Sequence, residues 1–130
     1  MVAAPAYMGD KKNSIEKVKW FPAMVGNHVA DIVERYGENT DEVPESLTSY
    51  IKNRKGYDYS KHGQSDNPYL DFITEDVVDE FCVLGEADEH VQKLNKLKEA
   101  GITQFNIYLD SGDEEKIIAD YGEKIIPEFS

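Results

Sequence analysis

The apolar and polar positions divide the chain into segments of two different periods. Val2 to Met8 is an apolar run ended by Gly9 and Asp10, the pattern of a strand buried inside a sheet. Asn13-Ser-Ile-Glu16 reads as a capping box, and apolar residues then recur at Ile15, Val18, Phe21, Val25, Val29, Ile32, Val33 and Tyr36 on one helical face. Pro22 lacks an amide donor and crowds the carbonyl four residues before it, so a kink or two abutting helices are expected near Phe21, with Gly37 as the stop. Pro44 opens a short helix through about Lys52. From Asn53 to Leu70 periodicity is lost around Gly56, Gly63 and Pro68, and Tyr57, Tyr59 and Tyr69 favour an ordered cover over a disordered linker.

The second half of the chain is more regular. Thr74 is placed as a helix N-cap with Glu75 and Asp76 in the first turn. Phe81-Cys-Val-Leu84 then reads as a strand and Gln104 to Leu109 as the next. Between them, from Gly85 to Gly101, runs a helix that is expected to bury Ala87, Val91, Leu94 and Leu97 and to turn His90 outward. This is a β-α-β crossover, and it predicts parallel strands covered on both faces. Ser111-Gly-Asp-Glu114 reads as a second capping box, opening a last helix that buries Ile117, Ile118, Tyr121 and Ile125 and ends at Pro127. The whole is one α/β domain over residues 1–130, three strand-helix units with a long loop insertion in the first. Residues 2–8 form a strand with no preceding neighbour, so the chain is expected either to start in the middle of a fold or to be completed by a partner.

Charge changes the picture by exclusion. Twenty-six acidic against fourteen basic side chains leave a formal charge of −12, which repels phosphate backbones and argues against nucleic-acid binding. The single cysteine, Cys82, forms no internal disulfide and reads as a small buried apolar residue. The first ten residues lack a basic region and a long apolar core, and no stretch approaches the roughly 20 apolar residues of a membrane helix, so a cytoplasmic, reducing location without membrane contact is expected.

The chemistry-bearing residues are few. No glycine-rich nucleotide fingerprint, P-loop or metal-ligand spacing is present, and His28, His62 and His90 are scattered, so no metal is expected. His28 lies at the edge of the apolar arc and reads first as a packing or capping residue, with a pocket role as the alternative. His62 sits in the Tyr57-Asp-Tyr-Ser-Lys-His-Gly63 loop, where a functional role and simple packing of the loop weigh equally. In barrel folds functional groups follow the carboxyl ends of strands, which points to Tyr7, Met8 and Gly9, to Gly85 and Glu86, and to Tyr108 and Asp110. The helix start after Gly85 is a potential anion site, but Glu86, Asp88 and Glu89 already occupy its positive end.

Three blocks carry a family resemblance: Trp20-Phe-Pro-Ala-Met-Val-Gly-Asn-His-Val-Ala-Asp-Ile-Val-Glu-Arg-Tyr-Gly37, the Tyr57 to Gly63 loop, and Phe81 to Gly85 through Gln104 to Leu109. Together they resemble the C-terminal part of luciferase-like flavin-dependent oxidoreductases, in the branch similar to methylenetetrahydromethanopterin reductase. The resemblance implies a partial TIM barrel supplying the last three β/α units, with residues 2–8 as the sixth strand. It implies FMN or a deazaflavin coenzyme at the carboxyl ends of the strands, serving hydride transfer or monooxygenation. Tyr7, Gly9, Gly85 and Tyr108 become the cofactor-side candidates, and Tyr57, Tyr59, His62 and His28 the candidates for a small-molecule substrate pocket; no residue is singled out as catalytic. Glu86 stands where the family often has Ser, Thr or Pro, and most phosphate contacts are expected from a missing N-terminal barrel half, without which the chain is expected to be inactive. The alternative is a stand-alone acidic α/β module with a structural or partner-binding role, dimerising through its first strand.

Overall fold

The computed structural model describes residues 1–36 and 73–130, with side chains described for 1–28 and 73–130. The expected Gly37 stop, the 44–52 helix, the 53–70 loop and with it Tyr57, Tyr59 and His62 lie outside the described residues. The chain divides into two compact units, Met1–Val18 with Cys82–Ser130, and Lys19–Phe81.

The first unit is built on β1 (Val2–Met8), β2 (Val83–Gly85) and β3 (Phe105–Tyr108), all parallel, in the order β2-β1-β3. The predicted crossover is present, since α4 (Ala87–Glu99) joins β2 to β3, but the two strands it joins flank β1 instead of pairing with each other. A barrel sets consecutive strands side by side, which would put β2 in the middle. The two ladders use different parts of β1. Val2 to Pro5 pair with Phe105 to Tyr108, and Ala6 to Met8 pair with Val83 to Gly85. Pro5 stands where one ladder ends and the other begins, the place in a central strand where a missing N–H removes least.

Helix α1 (Lys11–Val18) starts earlier than its pattern suggested. Asp10, not Asn13, is the cap: its carboxylate accepts from the Asn13 N–H at 3.1 Å, and its carbonyl accepts from Ser14 Oγ at 2.8 Å. The chain has already turned out of β1 at Gly9, so the acidic side chain that follows takes the free amides first. Helix α4 ends as predicted, with Gly101 at φ +88° and the Ile102 N–H bonded back to the Leu97 carbonyl at 3.0 Å.

After β3 the last helical stretch is not uniform. Helix α5 (Glu114–Asp120) runs into a π-helical turn, Tyr121–Ile125, and then α6 (Ile126–Phe129). Pro127 does not end it; it lies in the first turn of α6, where no donor is required. Ile117, Tyr121 and Ile125 are buried, whereas Ile118, expected inside, is 59% exposed. Gly122 is helical and a Cβ there would meet no atom within 4 Å. Gly122→Ala is therefore expected to stabilise the chain by about 0.5–1 kcal/mol through a less flexible unfolded state, read as a higher urea midpoint.

The second unit contributes α2 (Trp20–Tyr36) and α3 (Glu75–Phe81). The helical pattern does break at Lys19, and Pro22 falls in the first turn of α2. Trp20 and Phe21 meet edge to face with ring centroids 5.7 Å apart, and buried Asn27 returns its amide to the Ala23 carbonyl at 2.7 Å. Thr74 caps α3 as expected, its Oγ1 accepting from the Val77 N–H at 3.4 Å.

Candidate functional site

Polar side chains of the first unit converge on the carboxyl end of β1. The Tyr7 ring is buried, and its hydroxyl donates to Asp113 Oδ2 at 2.6 Å. Lys17 of α1 reaches the same oxygen at 2.8 Å. Lys116 of α5 donates to the Met8 carbonyl at 2.8 Å, lies 4.9 Å from the centre of the Tyr7 ring, and pairs with Asp120 at 2.6 Å. Lys124 holds the other Asp120 oxygen at 2.7 Å. Each carboxylate thus serves two donors, which pull Asp113 and Asp120 below the usual carboxylate range; the Lys17 contact is the larger cause for Asp113 and the Lys116 contact for Asp120. The bond to Asp113, and after it burial, pushes the Tyr7 phenol up, so Tyr7 stays a neutral donor. Such an arrangement braces the end of β1; its two carboxylates are bound as acceptors and are poor proton acceptors for a substrate. Tyr7→Phe removes the second-largest cause acting on Asp113 and leaves Lys17. The Asp113 pKa, followed by NMR, is expected to rise toward its ordinary value without reaching it.

Behind this brace lies His90, which the sequence reading turned toward solvent. It is 0% exposed and is the buried residue of α4. The Tyr7 carbonyl can only accept, so Nε2–H donates to it at 3.3 Å and Nδ1 accepts from the Tyr121 hydroxyl at 2.8 Å. Burial holds the imidazole below its ordinary range despite the carbonyls of Tyr7 and Gly85, which favour its charged form. Burial also pushes the Tyr121 phenol far up, so it remains the donor. Ala87, Val91, Leu94 and Leu97, expected to be buried, are half-buried.

Of the cofactor-side candidates, Tyr7, Gly9 and Gly85 are brought together. Tyr7 pairs with Leu84, Met8 with Gly85, and the Gly9 N–H donates to the Gly85 carbonyl at 3.1 Å. Tyr108 is 43% exposed at the end of β3, opposite Pro5. His28 is exposed on α2 of the other unit. The Gly85 turn does not fit a phosphate. A Cβ there would stand 2.1 Å from Glu89 Oε2, and that carboxylate accepts the Glu86 N–H at 2.8 Å. The chain's own anion already takes the helix start.

Two adjoining apolar grooves lie elsewhere, about 510 and 440 Å³, sharing Leu94, Phe105 and Phe129. Among the described residues no group of three or more His, Cys, Asp or Glu is placed to hold a metal ion, and no helix is long and apolar enough to cross a membrane.

Fold and site define a parallel α/β protein with a polar brace at the carboxyl end of its central strand. The chain is similar to the 5,10-methylenetetrahydromethanopterin reductase of Methanopyrus kandleri, 28% identical over 122 residues that make up 92% of this chain. It spans about a third of that relative's length, 32%. No protein-family model matches the chain, and no solved structure shows a significant match.

Proposed function

We propose that this chain is the C-terminal segment of a luciferase-like oxidoreductase that uses FMN or a deazaflavin, and that it forms part of the substrate wall. The similarity to a reductase over 92% of the chain carries this reading. On it, β1, β2 and β3 would be strands of a TIM barrel whose remaining strands the other two thirds of the longer protein would supply, in an order that differs from the β2-β1-β3 of this chain. The cofactor would perform the redox chemistry and the protein would orient it. Because Glu89 fills the Gly85 turn, the cofactor's phosphate contacts are assigned to the rest of that protein. Tyr7, Gly9 and Tyr108 would contribute surface near the ring, and His28, Tyr57, Tyr59 and His62 near the substrate. The protein is expected to work in the cytoplasm, with a small-molecule substrate.

The order β2-β1-β3 favours a second reading, a stand-alone acidic α/β module that binds a partner, since this is the order of an open sheet. Titration calorimetry with FMN and with a deazaflavin separates the two. No binding to the chain alone, but binding after an amino-terminal segment patterned on the reductase is added, is expected on the first reading. A monomer that unfolds cooperatively and never binds either cofactor with that segment present would replace it with the second.

A further inference from the structure

His90 ties α4, β1 and the π-helical turn together. Its imidazole is wholly buried, both ring nitrogens are engaged, and its ring meets that of Tyr121 edge to face at 5.6 Å. Neither helix has much else inside: His90 is the buried residue of α4, and from Glu114 to Phe129 the buried residues are Ile117, Tyr121 and Ile125. The 440 Å³ groove between them is lined by Leu94, Phe105, Ile107, Ile125, Ile126 and Phe129 among others. That groove is already open to solvent; separating the helices at His90 would expose the buried Ile117, Tyr121 and Ile125 as well.

We propose that His90 is an acid-released latch, whose protonation frees the helical stretch Glu114–Phe129 from α4 and exposes the buried apolar side chains Ile117, Tyr121 and Ile125. In the closed state a proton on Nδ1 would face the Tyr121 hydroxyl, which now donates, and would have to reverse that bond in a wholly buried site. In the open state the ring is solvated and takes the proton freely. The charged groups that reach the ring are Glu89 on its own helix and Asp120 on α5, both favouring protonation. Glu89 is bound to the Glu86 N–H, and Asp120 is held between Lys116 and Lys124. From β1 and β2 the carbonyls of Tyr7 and Gly85 act on it, and Tyr121 faces it from the π-helical turn. Burial outweighs these. The open state therefore binds more protons, and opening is favoured as pH falls below the ordinary histidine value of about 6.5 and is insensitive above it.

The test is hydrogen exchange of the 130-residue chain between pH 8 and 5.5, corrected for intrinsic rates. Opening of the 114–129 amides is expected to rise up to about tenfold per pH unit below 6.5, while β1 amides change less. Binding of the apolar dye ANS should rise over the same range before far-UV CD is lost. His90→Gln, which keeps a donor and an acceptor but does not titrate, should flatten both responses. An unchanged response in His90→Gln, or equal loss of protection in β1 and 114–129, would overturn the latch. Should that variant not fold, the wild-type His90 ring signal decides: titration with no change in 114–129 protection refutes the idea.

Discussion

Replacing His90 by alanine is expected to destabilise the chain by about 3–5 kcal/mol, the largest effect of any single side chain considered in the first unit. Two costs combine. The wholly buried ring leaves a cavity, and the surrounding Tyr7, Tyr121 and Gly85 groups belong to strands and helices that cannot all collapse into it. The Tyr7 carbonyl and the Tyr121 hydroxyl also lose their partner, at about 1–3 kcal/mol for each group left buried and unpaired. Against a total of roughly 5–15 kcal/mol for a domain, such a loss brings the protein near its folding limit at 25 °C. Urea denaturation at pH 7.5 measures it. His90→Gln, which can restore both bonds with a smaller side chain, should lose less than half as much. A loss below about 1 kcal/mol for alanine would mean that the ring is not the keystone its burial indicates.

That same residue shows where the sequence was legible and where it was not. The hydrophobic period placed α4 and its glycine stop well, and Thr74 caps its helix as expected. Cys82 is buried as expected but precedes β2, because Phe81 still belongs to α3, and the helical break falls at Lys19, two residues before Phe21. It failed at His90 because a polar residue was read as facing water. Yet positions 87, 90, 94 and 97 keep the three-and-four spacing of one helical face, and that spacing was the available signal. Asp113 was visible only as part of a presumed cap. Its partners Tyr7 and Lys17 lie about a hundred residues away in sequence, and no local pattern encodes such a contact. Strand order escaped for a related reason. Each strand is a short apolar run, and nothing in the run states its neighbour. The similarity to a reductase and the open-sheet order of strands pull in different directions, which is why the proposed oxidoreductase role is tested with the longer polypeptide and not with this chain alone.

Gly85→Ala is expected to cost about 2–3 kcal/mol, and its origin can be divided by experiment. Gly85 holds φ at +105°, a backbone region that an L side chain enters only with strain. The new methyl group would also displace the Glu89 carboxylate, whose Oε2 lies 2.1 Å from the ideal Cβ position, and so free the Glu86 N–H at the start of α4. The flexible end of Glu89 can move, whereas the backbone cannot. Glu89→Ala alone should therefore cost about 0.5–1 kcal/mol for the lost cap. In the double variant the carboxylate is gone and the Cβ of residue 89, 3.1 Å from the new methyl position, is what remains beside it, so the combined loss should fall short of the sum by about the cost of that cap. Full additivity would show that the glycine is required for its dihedral angle only, and that the carboxylate above it is a neighbour without energetic consequence.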